Sequence, residues 1–162
     1  MICAAALIAV VVTAVYLSPV FQGFSGGSTE PVTVGFEMVE SNDATTITIS
    51  PVKTDLAWDH WTFIIGLRSV TLNGDSATLE TTEWRPLSED LDEGAPTAVD
   101  LGEQSLGDGA IRCVATDAAG DGILEPGDYL TITGTPGLYN ILAFDEAAGS
   151  EASSVYDFVL YS

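Results

Sequence analysis

Two patterns of apolar and polar positions divide the chain. Residues 1–17 are almost wholly apolar, and Val20, Phe21 and Phe24 extend that character. From Pro31 onward the continuous run gives way to short stretches in which apolar and polar residues alternate. Alternation with period two puts successive side chains on opposite faces of a strand. It predicts strands over 32–39, 45–52, 62–67, 69–72, 77–84, 98–103, 110–115, 129–133, 138–144 and 155–161. Turn chemistry separates most of them, at Ser41-Asn42-Asp43, Asn73-Gly74-Asp75, Asp108-Gly109 and Thr135-Pro136-Gly137. About ten short strands with no convincing amphipathic helix argue for an all-β, immunoglobulin-like sandwich of two sheets. The acid-rich stretch 89–93, between Pro86 and Pro96, reads as an exposed loop.

The first run carries many β-branched residues, so periodicity leaves helix and strand open. A helix over residues 1–22 would be ~33 Å long, close to the ~30 Å hydrocarbon core of a bilayer. A single strand in lipid leaves its backbone polar groups unsatisfied, which favours the helix. Pro19, Gly23, Gly26 and Gly27 end it. The expected organisation is an apolar helix over 1–24, a hinge over 25–30 and a head domain over 31–162.

A secretory signal would carry a basic n-region, and the run holds no basic residue. A membrane anchor and a helix buried among copies of itself both remain. Ala5, Ala9 and Thr13 recur every four residues, the spacing that lets helix backbones approach closely. With Ile2, Ile8, Val12 and Tyr16 they form the expected polymerisation face.

Charge sharpens the division. Twenty-four acids face four bases (Lys53, Arg68, Arg85 and Arg112), for a formal charge of −20, and every acid lies at or beyond Glu30. No basic patch could track phosphates, which excludes nucleic acid as a partner. So acidic and lysine-poor a surface also points to a high-salt setting, where counterions screen self-repulsion.

One apolar helix, a glycine hinge and a Thr-rich acidic β-domain together resemble the archaeal type IV pilins and archaellins. Residues 32–49, an extended segment, a polar turn and the strand Thr45-Thr46-Ile47-Thr48-Ile49, look like the opening hairpin of such head domains. Residues 117–128 are similar to an acidic loop that recurs late in them. Ala5 stands where bacterial pilins carry an acid, so the resemblance is archaeal. It implies an extracellular cell-surface filament of identical subunits, used for adhesion or attachment. It also implies membrane insertion before assembly, and as partners a prepilin peptidase that removes a short basic leader and a membrane assembly platform. The alternative is a monomeric, membrane-anchored surface domain that binds a sugar or a protein.

The strongest chemical motif is the same acidic loop. In the register of an EF-type calcium loop, Asp117 falls at position 1, Asp121 at 5, Glu125 at 9 and Asp128 at 12, with Gly122 at the turn. These are hard oxygen ligands suited to Ca²⁺, although Ala119 supplies none at position 3. The competing reading is an acidic turn whose glycines serve positive φ. Catalysis is not expected, because the chain has one histidine, His60, and no nucleophile, metal-protease or phosphate-loop signature. Trp58, Trp61 and Phe63 read as core, with a sugar-stacking platform as the alternative. Cys3 and Cys113 lie in different parts of the chain and are expected to be free, small apolar fillers. Asn42, Asn73 and Asn140 open no N-glycosylation sequon.

Overall fold

A computed structural model describes residues 33–52, 55–70, 73–74 and 76–161. The expected apolar helix with its polymerisation face, and the hinge, lie outside these residues. Among those described, the chain forms ten strands. They are β1 (Val34–Glu40), β2 (Thr45–Pro51), β3 (Trp61–Val70), β4 (Ser76–Trp84), β5 (Thr97–Leu106), β6 (Gly109–Asp117), β7 (Tyr129–Gly134), β8 (Gly137–Asp145), β9 (Ser150–Glu151) and β10 (Tyr156–Leu160). A 3-10 turn (Trp58–His60) precedes β3, and a single helical turn, α1 (Ser88–Leu91), lies between β4 and β5.

The strands make two antiparallel sheets, ordered β1-β2-β7-β6-β5 and β10-β8-β3-β4, with β9 paired to β8. The expected two-sheet sandwich is therefore present. Two details differ from the sequence pattern. Stretch 62–67 and the first two residues of stretch 69–72 belong to one strand, β3, because a register shift between Leu67 and Arg68 absorbs the break in alternation without ending the pairing; residues 71 and 72 lie outside the described residues. The acid-rich stretch is not all loop either: its N-terminal part is α1, held down by Leu91, which is fully buried.

Alternation decides what the core contains. In β2 the series Ile47, Ile49 points inward while Thr46 and Thr48 point out, and β7 repeats this with Leu130 and Ile132 against Thr131 and Thr133. Trp58, Trp61, Trp84, Tyr139, Phe63 and Phe158 are the largest buried side chains. Each aromatic buries roughly 150–250 Å², so these six dominate the apolar interior. Trp58 and Phe63 meet at 6.2 Å, and Tyr139 stacks on Phe158 at 5.6 Å. Trp58, Trp61 and Phe63 are thus core residues and offer no stacking platform to a sugar.

The open edges of the two sheets are tied across both sides. On one side the N–H groups of Thr33 and Val34 both donate to Ala152 O at 2.9 Å, and Val159 N–H donates to Glu40 Oε1 at 2.9 Å. On the other, Gln104 Nε2 donates to Glu83 O at 2.9 Å, and Gly107 N–H to Glu80 Oε2 at 2.6 Å. Acidic side chains occupy edge positions that would otherwise invite another strand.

Candidate functional site

The acidic loop joins β6 to β7 and occupies one end of the sandwich. Its two outer aspartates end one strand and precede the next, beside the paired residues Thr116 and Tyr129. Both are buried, Asp117 fully and Asp128 to within 1 %. Asp117 accepts N–H bonds from Gly120 at 2.6 Å and Gly122 at 2.9 Å, one on each oxygen. Asp128 accepts from Ala118 at 2.9 Å and Glu125 at 2.8 Å, again one on each oxygen. Four main-chain donors that the loop could not pair in a ladder are thereby satisfied.

The remaining acids play smaller parts. Asp121 is exposed and accepts the Ile123 N–H at 3.0 Å. Glu125 is half-buried and opens a β-turn over Pro126 and Gly127, closed by Asp128 N–H to Glu125 O at 3.2 Å. Among the described residues, no group of three or more His, Cys, Asp or Glu side chains is placed to hold a metal ion. The structure brings Asp117 and Asp128 together and leaves Asp121 on the solvent side.

The loop is also bound into the body. Gly122 O accepts Trp58 N–H at 3.1 Å, Leu124 N–H donates to Leu56 O at 2.9 Å, and Ile49 N–H donates to Asp128 O at 2.7 Å. Gly122 has φ +73°, and a Cβ there would come within 2.7 Å of Ser88 O on α1. Only glycine fits both demands. Chemically, then, the loop is a brace joining β2, the 3-10 turn and α1.

Burial pushes the Asp128 carboxyl up, to about 6, against the pull of the N–H groups of Glu125 and Ala118. The charges of Asp117 and Glu125 add to the upward push.

A second polar cluster surrounds the one histidine. His60 Nε2 lies 2.9 Å from Asp145 Oδ1, which also accepts the N–H groups of Ala147 and Ala148 at 3.0 Å each. Glu146 N–H donates to His60 O at 3.0 Å, Thr62 Oγ1 donates to Glu146 Oε1, and Arg85 lies 3.6 Å from the same oxygen. The donors converge on Asp145 to shape the β8–β9 turn, and the only hydroxyl among these partners is committed to Glu146. The sequence marks His60 as the one histidine but not the two acids beside it, which arrive from β8 and its turn.

Cys113 is free and buried on β6. Among the described residues, no helix is long and apolar enough to cross a membrane. Comparison of the chain with protein-family models, with curated proteins and with solved structures finds no match.

Proposed function

We propose that the chain is the structural subunit of an extracellular filament of the archaeal type IV pilus kind, serving adhesion or surface attachment. It polymerises with copies of itself through its N-terminal apolar helix, on the face formed by Ile2, Ala5, Ile8, Ala9, Val12, Thr13 and Tyr16. The observation that supports this reading is the complete division of chemistry along the chain. Residues 1–29 carry no charged side chain, whereas among the described residues the two sheets of the acidic head enclose a hydrophobic core of their own, from Val34 to Leu160. A head with a core of its own is consistent with an apolar helix whose small-residue face packs against other copies.

Polymerisation replaces helix–lipid contacts with helix–helix contacts, after insertion in the membrane and removal of the leader by a prepilin peptidase. An assembly platform in the membrane would add subunits. The acidic heads then coat the filament, and salt must screen their repulsion, because 24 acids against four bases is a large charge at close spacing. Such a head suits a saline exterior.

Negative-stain imaging of the purified full chain, with and without Ala9→Leu, tests the reading. The parent should form filaments of uniform width. Bulk at a close-packed small position separates helix backbones, so Ala9→Leu should abolish filaments while the head keeps its melting temperature. A parent that stays monomeric after removal of detergent would favour the anchored surface domain instead.

A further inference from the structure

The outward faces of the two sheets are chemically different. On the β1-β2-β7-β6-β5 sheet the exposed-face residues of β2 and β7 are Thr46, Thr48, Thr131 and Thr133. On the other sheet, β3 and β8 put Ile64, Leu142 and Phe144 at the positions that alternate with the core residues Phe63, Ile65, Ile141 and Ala143. Ile64 stands directly opposite Leu142, and Phe144 opposite Thr62. All three apolar side chains are half-buried, and none belongs to the core between the sheets or to the residues packed against it. Val155, one residue before β10, is 50 % exposed, and the β8–β10 register continued by one position sets it opposite Leu142. Strands that are apolar on both faces are normally covered on both faces.

The chain enters the sandwich beside this patch. Thr33 N–H donates to Ala152 O at 2.9 Å, and Ala152 N–H donates to Ala143 O at 2.8 Å. Ala143 is the residue between Leu142 and Phe144. Thirty-two residues precede Thr33; apart from Val32, directly beside it, their last large apolar side chains are Val20, Phe21 and Phe24.

We propose that this chain's own residues 20–24 dock on the outward apolar face of the β10-β8-β3-β4 sheet, with Val20, Phe21 and Phe24 covering Ile64, Leu142, Phe144 and Val155. Reach is sufficient. Eight residues lie between Phe24 and Thr33, and the nine Cα–Cα steps span up to ~30 Å extended, whereas four strands at ~4.8 Å spacing make a face only ~19 Å across. The tether holds the segment at a millimolar-scale effective concentration.

A second copy is the weaker occupant for two reasons. Two acidic heads repel each other, while residues 1–29 bring no charge to the surface. A patch of a few hundred Å² also falls short of the ~1,200 Å² of total area that a stable dimer buries. Docking would fix the head's orientation on the apolar run and leave residues 1–17 unoccupied. It does not depend on filament formation, since an anchored monomer would dock in the same way.

The test is disulfide trapping in the full chain, held monomeric in detergent micelles on a Cys3→Ser background. Phe24→Cys is paired with Leu142→Cys, with Ile64→Cys as a second partner, and with Thr131→Cys on the opposite sheet as the control. Mild oxidation should close the 24–142 and 24–64 pairs within one chain about tenfold faster than 24–131, the advantage expected from a docked over a merely tethered segment. Equal rates for all three pairs would overturn the proposal. Cross-links that join two chains would overturn it too, and would assign the face to a second copy. Because the sample is monomeric, none of these outcomes depends on whether the parent polymerises.

Discussion

Asp117 and Asp128 meet at the root of the β6–β7 loop, both buried, and between them they accept four main-chain N–H groups of that loop. Two buried carboxylates side by side repel each other, and the amides offset that cost by serving as the positive ends of local dipoles. Asp128 retains a raised affinity for a proton, and this gives the loop a measurable pH response.

Asp128 titrates near 6 in the folded chain against 3.8 for the unmodified group. Between those values the folded state holds a proton that the unfolded state has released. Stability from this group is therefore fully present below about pH 4 and is lost as pH rises through about 6. Lowering the pH from 7.5 to 5 at fixed high NaCl should raise stability by about 1 kcal/mol, a few degrees in melting temperature. Asp128→Asn puts an amide NH₂ against one of two N–H donors, so it should be less stable at pH 7.5 and lose most of the pH response. An unchanged slope in Asp128→Asn would locate the titration elsewhere on the acidic surface.

Calcium can be separated from general screening by a melting-temperature titration at saturating NaCl. The carboxylates of Asp117 and Asp128 are committed to loop amides, and Asp121 faces solvent. The expected outcome is no further stabilisation by millimolar Ca²⁺ in the parent or in Asp121→Ala. A shift in the parent that disappears in Asp121→Ala would instead establish a calcium site, following RT ln(1 + [L]/Kd).

Gly122 should be intolerant of any side chain. Gly122→Ala meets both a left-handed backbone and the Ser88 carbonyl, and should lower stability by about 2–4 kcal/mol. Gly149 has φ +66° with open space around it, so Gly149→Ala should cost only about 1 kcal/mol. Urea midpoints compared at constant m-value check the difference.

Cys113 should behave as an inert filler. Burial, and then the nearby charge of Asp100, push its thiol far above the ordinary range, and the thiolate is the reactive form. Iodoacetamide at pH 8 followed by peptide mapping should find Cys113 unmodified in the native chain and labelled only at the rate of global unfolding. Rapid labelling under native conditions would mean that β6 opens locally.

The β-sandwich was legible in the sequence because alternation records burial residue by residue. Thr46-Ile47-Thr48-Ile49 says which face is wet without reference to any partner, and the Asp-Gly and Pro-Gly pairs mark reversals through local backbone chemistry alone. The acidic loop was legible as a glycine-containing turn for the same reason. Strand partners carry no such record. That β2 would pair with β7, that Glu40 would reach Val159 and that Asp145 would meet His60 follow from packing between residues far apart in sequence, where only the assembled sheets set distance. The roles of Asp117 and Asp128 were hidden likewise. Spacing showed oxygen donors at regular offsets, but whether their lone pairs serve a cation or the loop's own amides depends on how the backbone folds back over them. The apolar runs of β3 and β8 lie between these cases. Both of their faces carry apolar residues, and only the tertiary structure showed which face the core supplied.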